Sequence, residues 1–200
     1  MLKRFIDLVV GVILTVLFTP LFLLISFLIK LDSKGPVFFI QNRLGKSGVV
    51  FRMFKFRTMV MNAERIGTGL FSYSDDSRIT RIGKYLRMTS LDEMPQILNV
   101  ILGSMSLVGP RPPVTYELGD YNDFTEYMKV RFKVKPGMTG LAQVSGRNEL
   151  SWNQKMEYDN LYVERFEHHG VIEDILILFR TLFVVFSMGN IIEKNPGKSK

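Results

Sequence analysis

The sequence predicts an α+β, mostly helical protein in which an N-terminal membrane segment precedes a compact body. The first observation is that 22 consecutive residues, Leu8 to Ile29, carry no charge. The second is that the remainder mixes a short strand pair with several helical patterns and contains neither a repeat nor a low-complexity linker. We therefore expect two units: residues 1–34 in the membrane and residues 35–200 as one body.

The apolar run is long enough to cross a bilayer. At about 1.5 Å per residue it spans roughly 33 Å, against a hydrocarbon core of about 30 Å. Lys3 and Arg4 precede the run, and Lys30 and Lys34 follow it. The positive-inside rule therefore favours the cytoplasmic side for both ends. A cleaved secretory signal is disfavoured, because no small-x-small site follows the run.

Thr19-Pro20, near the middle of this run, offers a way to bring both ends to one side. Pro20 lacks an N–H and clashes with the preceding turn, and the Thr19 hydroxyl can satisfy a freed carbonyl. The sequence thus predicts a re-entrant helix-break-helix hairpin with its hinge at Thr19 and Pro20. A kinked full span and a buried soluble helix remain alternatives.

Composition restricts the chemistry. The chain has no cysteine, and its two histidines, His168 and His169, are adjacent. This excludes thiolate metal sites and a cysteine nucleophile, and it disfavours a serine hydrolase or a histidine-rich zinc site. A metal would be held by carboxylates, which favours a hard ion such as Mg²⁺.

The net charge of +7 is concentrated in one segment. Residues 35–90 carry ten basic and three acidic side chains, whereas the flanking segments nearly balance. Such an excess suits nucleic acid, an anionic membrane surface or a phosphorylated small substrate. A solvated basic face is the plainer alternative.

The segment 36–58 reads as a β-hairpin around a turn at residues 45–48. In its second strand, Lys55 and Arg57 share one face about 7 Å apart. They form either an exposed sheet face or a paired contact to an anion.

A helix is predicted over residues 77–88. It places four cations at a spacing of three near one face, namely Arg78, Arg81, Lys84 and Arg87. This is either a solvated face or a surface for an anionic partner.

The next segment holds two adjacent carboxylates, Asp92 and Glu93. Ser90 and Glu93 have the spacing of a capping box, whereas Pro95 favours a slightly later helix start. Both cues place the two acids at a helix N-terminus. Ordinary N-terminal capping readily explains one acid at this position but explains two adjacent acids less readily.

Glycine and proline punctuate the following region. Gly109 to Pro113 is stiff and presents Arg111, a group suited to bidentate phosphate contact. Arg147, in a later Gly-rich turn, is a further candidate anion contact. Residues 152–163 predict a helix carrying Asp159, and residues 175–188 predict a core or interfacial helix too short to span a bilayer.

Four stretches together resemble the bacterial sugar transferase family of small monotopic phosphoglycosyl transferases. They are FRMFKFRTM (51–59), RMTSLDEMPQILNVILG (87–103), SLVGPRP (106–112) and KPGMTGLAQVSGRN (135–148). The resemblance extends over roughly residues 3–185. Because no further apolar span precedes it, the chain is expected to be the minimal catalytic form.

The resemblance implies transfer of a sugar 1-phosphate from a UDP-sugar to polyprenyl phosphate, with release of UMP, at the bacterial inner membrane. It implies Asp92 as nucleophile of a covalent intermediate and as Mg²⁺ ligand, with Glu93 assisting by positioning or by proton removal.

The resemblance also implies substrate-binding roles for several other residues. Family positions match Lys55, Arg87, Arg111 and Asp159, to which the anion contacts above add Arg57 and Arg147. The compact body then becomes a cytoplasmic catalytic domain with a C-terminal interfacial helix.

Two other functions remain possible from the residues alone. A membrane-anchored nucleic-acid-binding or scaffold module would use the basic segment, although no DNA- or RNA-binding motif accompanies it. A phosphatase or nucleotidyl hydrolase would use the same carboxylates with water as acceptor.

Overall fold

The computed structural model describes residues 1–63, 76–146 and 149–186, and it confirms a mostly helical α+β chain. The helices are α1 (Leu2–Asp32), α2 (Arg81–Met88), α3 (Gln96–Leu102), α4 (Glu126–Lys129), α5 (Leu141–Ser145), α6 (Trp152–His169) and α7 (Val171–Phe186). The strands are β1 (Phe38–Leu44), β2 (Val50–Phe56), β3 (Ser106–Val108) and β4 (Gly137–Thr139).

Helix α1 runs without interruption through Pro20, so the expected break in the helix is absent. The Thr19 hydroxyl donates to the carbonyl of Thr15 at 2.7 Å and not to that of Val16, which is the carbonyl that Pro20 frees. One lost hydrogen bond is compatible with a continuous helix because the remaining turns keep theirs. By length and composition α1 is the one described helix that could cross a membrane. A re-entrant path stays a prediction.

The first turns of α1 are attached to the body. Lys3 forms an ion pair with Asp174 of α7. The buried Asp7 carboxylate accepts hydrogen bonds from the Ser106 hydroxyl and the Leu107 N–H, both at 3.0 Å. The start of the apolar helix is therefore fixed to β3 and α7.

The other end of α1 is attached to the same body by Arg57. Its buried guanidinium donates to the Ser33 carbonyl at 2.8 Å, to the Ser33 hydroxyl at 3.0 Å and to the Lys34 carbonyl. These atoms lie at the C-terminal end of α1, where carbonyls lack helical partners. Arg57 thus joins the end of β2 to the end of the apolar helix.

The hairpin is present, with bounds shifted by two residues at most. Strands β1 and β2 pair antiparallel from Phe38 opposite Phe56 to Leu44 opposite Val50. Ser47 and Gly48 in the turn have φ angles of 56° and 75°, the left-handed region. A short parallel pair, β3 with β4, was not expected from the sequence.

The predicted stripe of four cations is wrong at its first member. Helix α2 begins at Arg81, because Thr80 is its N-cap and accepts a hydrogen bond from Gly83 N–H at 3.0 Å. Arg78 lies before the helix, is buried, and binds Asp76 and the carbonyl of Ala63. It therefore contributes to the local structure that precedes α2.

Helices α6 and α7 follow at the C-terminal side. Ser151 and Gln154 form a capping box at the start of α6. Helix α7 buries Ile177 in the main core but exposes a long apolar face, made of Ile172, Ile175, Leu176, Phe179, Leu182, Phe183 and Val185. Such a face suits an interfacial helix, and that location stays a prediction.

Candidate active site

Asp92 and Glu93 lie in a 3₁₀ turn, Leu91–Glu93, immediately before α3. Of the two helix-start cues, the capping box of Ser90 and Glu93 is absent, because Ser90 has a left-handed φ of 57° and its side chain does not cap the turn. Pro95 occupies the N-cap position of α3. The turn directs the Glu93 carboxylate towards β2 and the segment 110–113, where Lys55 and Arg111 contact it.

Glu93 is held by two cations. Its Oε1 accepts from Lys55 Nζ at 2.8 Å and from Arg111 Nη2 at 2.7 Å, and Oε2 lies 3.3 Å from Arg111 Nη1. Burial by itself would raise the pKa of Glu93, but Arg111 and Lys55 outweigh it and hold that pKa well below its usual range. Glu93 is therefore ionised and engaged.

Asp92 differs from its neighbour. Among the described residues, no hydrogen bond or ion pair engages its carboxylate. The pKa of Asp92 is raised to about 6, chiefly by burial and also by the nearby Glu93 charge, against the lowering effect of Lys55, Arg87 and Arg111. An unengaged carboxylate among cations is suited to meet an electrophilic phosphorus.

Three cations surround the two acids. Lys55 projects from β2, and burial lowers its pKa despite the opposing effect of Glu93. Arg87, in the last turn of α2, donates from Nε to the Thr58 hydroxyl at 2.9 Å. Arg111 keeps 42% of its side chain exposed while it binds Glu93, whose charge raises the Arg111 pKa. The site can therefore neutralise several phosphate oxygens.

Two of the predicted site residues lie elsewhere. Arg57 faces the end of α1, as described above, and not the carboxylates. Asp159 on α6 is 1% exposed and lies 2.8 Å from Arg131. A substrate contact of either residue stays a prediction. Arg147 lies outside the described residues.

Two functional candidates were missed by sequence reasoning. Arg43 on β1 and Arg131, in a 3₁₀ turn at residues 130–133, both contact the segment that carries Arg111. Neither stands out in the sequence, because Arg43 follows Gln41 and Asn42, and Arg131 lies between Lys129 and Lys133. An arginine is rarely buried without a specific partner.

The donor set around Asp92 limits what metal could bind. Within the described ranges, no group of three histidine or acidic side chains could hold a metal ion. Glu93 is already occupied by cations, which leaves the Asp92 carboxylate. Mg²⁺ commonly binds through one carboxylate together with substrate phosphates and water, so this donor set fits that ion and fits a closed protein cage poorly.

The fold and the site define a class of protein: a long apolar helix is docked on a body whose candidate site is a carboxylate among lysine and arginine side chains. The profile of the bacterial sugar transferase family matches residues 1–188. The chain belongs to the bacterial sugar transferase family.

Individual relatives are similar to this chain over most of its length. The chain is 37% identical to the exopolysaccharide production protein ExoY of Sinorhizobium fredii, over 90% of this chain and 83% of that protein. It is 39% identical to an undecaprenyl-phosphate galactose phosphotransferase of Salmonella typhimurium, over 92% of this chain and 40% of that protein. A UDP-glucose:undecaprenyl-phosphate glucose-1-phosphate transferase of Klebsiella pneumoniae is 40% identical over similar shares, 92% and 40%. The chain thus spans about two fifths of the length of several relatives.

Proposed function

We propose that this protein transfers a sugar 1-phosphate from a UDP-sugar to undecaprenyl phosphate and releases UMP. The observation that carries the proposal is the unengaged Asp92 carboxylate surrounded by Lys55, Arg87 and Arg111. The names of the Salmonella and Klebsiella relatives describe undecaprenyl-phosphate sugar phosphotransfer, which supports this choice of substrates.

The reaction has two displacements. In the first, an Asp92 oxygen attacks the phosphorus that bears the sugar, the bridging P–O bond breaks, and UMP leaves with the bridging oxygen. In the second, a phosphate oxygen of the lipid attacks the same phosphorus, the Asp92–phosphorus bond breaks, and the diphosphate-linked lipid sugar departs. A carboxylate is a competent nucleophile for such a covalent intermediate.

The cations supply most of the stabilisation. Phosphoryl transfer depends chiefly on positioning and on neutralisation of the phosphate oxygens. Arg111 is half-exposed and can contact the donor diphosphate while it keeps its pair with Glu93. Glu93 is too weak a base to remove a proton readily, given its lowered pKa. Its role is to position Lys55 and Arg111.

Mg²⁺ is proposed as the cofactor, held by Asp92 together with the donor phosphates. When bound, the ion would neutralise charge on the diphosphate. Glu93 would not compete with Asp92 for the ion, because its oxygens are already engaged by Lys55 and Arg111.

The proposed location is the inner membrane, with α1 re-entrant and the catalytic domain on the cytoplasmic face. Support comes from the contacts at both ends of α1, since Lys3 and Asp7 bind the same body as Ser33 and Lys34. A full span would place Lys3 and Ser33 on opposite sides of the bilayer, where one body could not contact both. A polyprenyl phosphate would then present its charge at the level of the site.

The test is a UMP-release assay over a panel of UDP-sugars with undecaprenyl phosphate and Mg²⁺, using the full chain in detergent or nanodiscs. We expect lipid-dependent release with at least one sugar, loss of release in Asp92→Asn, and a phosphosugar adduct on Asp92 detectable by mass spectrometry. UMP release without lipid at turnover rate would identify a hydrolase instead. Full activity of Asp92→Asn would refute the covalent route.

A further inference from the structure

The backbone that carries Arg111 is held by its carbonyl groups. Within Pro110–Pro113, three of four residues are proline and have no N–H to donate. All four carbonyls nevertheless accept a hydrogen bond, and each has a different donor: Gly137 N–H (3.0 Å), Arg131 Nη2 (2.6 Å), Arg43 Nη1 (2.9 Å) and Leu44 N–H (3.0 Å), in chain order. Two of these donors are side chains that sequence reasoning did not select.

Arg131 is buried under the segment. Only 2% of its side chain is exposed. Its guanidinium carbon lies 5.5 Å from the ring centroid of Phe132 and 5.5 Å from that of Trp152. Burying an arginine is costly unless an anion accompanies it. Asp159, itself 1% exposed, lies 2.8 Å from Arg131 Nη2 and supplies that anion. Asp159 therefore keeps Arg131 where it reaches the Arg111 carbonyl.

Arg43 holds the next carbonyl from the other side. Its Nε and Nη2 donate to Gln41 Oε1 at 3.0 and 2.6 Å, which fixes the plane of the guanidinium. Nη1 then points to the carbonyl of Pro112 at 2.9 Å. The planar fork of arginine allows this division of donors, which a lysine could not reproduce.

We propose that Arg131, anchored by Asp159, and Arg43 are positioning residues for Arg111. They act by fixing the carbonyls of residues 111 and 112, so that the Arg111 guanidinium meets Glu93 and the phosphate of the donor. The inference rests on the proposed function, because it assigns these residues to the same site. Displacement of a positioned group by about 1 Å can cost about 100-fold in rate.

A double-mutant cycle tests the route through Arg111. Asp159→Asn and Arg111→Ala are each measured for kcat/KM with the UDP-sugar, alone and combined. We expect Asp159→Asn to lower kcat/KM by about 10- to 100-fold. The double variant should be no worse than Arg111→Ala, because a misplaced Arg111 and an absent one are equivalent. Independent effects that multiply would overturn the proposal.

A second set of variants separates positioning from folding. Replacing the buried pair by Arg131→Met with Asp159→Leu preserves apolar packing but removes the donor to the Arg111 carbonyl. We expect a melting temperature near that of the wild type, a loss of kcat/KM, and partial recovery in Arg131→Lys. Unchanged kcat/KM in the folded double variant would overturn the proposal. If substitutions at 131 and 159 prevent folding, the cycle of Arg43→Gln with Arg111→Ala decides by the same criterion.

A matched control and the wild type complete the design. Glu126→Gln removes an exposed ion pair with Lys129 in the neighbouring α4 and should leave kcat/KM unchanged. If the wild type releases no UMP with any UDP-sugar, the proposed function fails. If the wild type is active and the two effects on kcat/KM multiply in the double variant, the proposed function stands and the positioning role fails.

Discussion

Asp92 and Glu93 are neighbours in sequence, yet their surroundings move their pKa values in opposite directions. Glu93 is engaged by two cations and its pKa falls, whereas Asp92 has no hydrogen bond or ion pair with any residue that the structure describes, and its pKa is raised to about 6, chiefly by burial. Opposed shifts in adjacent acids commonly mark different chemical roles. The opposed shifts support the proposed roles, with Asp92 as nucleophile and Glu93 as positioning carboxylate.

The rate should report the ionisation of Asp92. Because the carboxylate form is the nucleophile, kcat/KM is expected to fall on the acid side near pH 6. Glu93→Gln removes a negative charge that raises the pKa of Asp92, so the acid limb should move to lower pH even as the overall rate drops. The measurement is a pH profile of UMP release between pH 5 and 9 for both proteins. An acid limb that does not move would contradict the assigned coupling, and Glu126→Gln serves as the unaffected control.

Asp92 should also weaken the fold when it is ionised. Its folded pKa, about 6, exceeds the unfolded value of 3.8, so the folded state binds more protons between these values and stability falls as pH rises through them. Asp92→Asn removes this effect. We expect a higher melting temperature than the wild type at pH 8 and little difference at pH 4, measured by scanning fluorimetry in detergent. Equal melting temperatures at pH 8 would show that the carboxylate is not destabilised in the fold.

At the scale of elements, the buried Asp7 carboxylate is one of the contacts that attach α1 to the body. Asp7→Ala would leave the Leu107 N–H and the Ser106 hydroxyl without their acceptor. Leaving a buried donor unsatisfied costs about 1–3 kcal/mol. We expect a lower free energy of unfolding and faster proteolytic cleavage of the segment that joins α1 to the body. The exposed Asp123→Ala is the control, and equal stability of the two variants would contradict the attachment described for α1.

Elements with a local pattern could be predicted from the sequence, and those made by distant contacts could not. The hairpin, α6 and the apolar helix follow from alternation, a cap and a charge-free run. Strands β3 and β4 are three residues each and pair across about thirty residues, so neither carries a periodic signal. The spacing of Ser90 and Glu93 did not produce a capping box, because Ser90 adopts a left-handed φ that its neighbours in the sequence do not predict.

The same limit applies to the candidate site. Lys55, Arg87 and Arg111 were predicted, and the structure brings them to Asp92 and Glu93. Arg57 and Asp159 were predicted too, but their side chains turn to partners distant in the chain, at the end of α1 and at Arg131. Residue type and spacing indicate which cations are available, whereas burial decides which of them face the substrate.

Across the whole molecule, five of the ten basic side chains of residues 35–90 fall into two groups, while Lys46, Arg52, Arg81 and Lys84 are exposed. Lys55 and Arg87 face the carboxylates, whereas Arg43, Arg57 and Arg78 bind carbonyls and side chains inside the protein. A nucleic-acid surface would require these cations to be exposed together. The charge distribution therefore supports a compact anion site at one end of the apolar helix.

Introduced cysteines can test whether both ends of α1 lie on the same side of the membrane. The chain has no cysteine, so cysteines introduced at the exposed positions Leu2 and Lys34 would be its only thiols. Because Lys3 and Arg57 tie both ends of α1 to one body, we expect both thiols to react with an impermeant maleimide only after the cytoplasmic side is opened. Tyr127→Cys, exposed on the body, marks that side. Reaction of position 2 in intact cells, with positions 34 and 127 protected, would establish a full span and contradict the docking of Lys3 on Asp174.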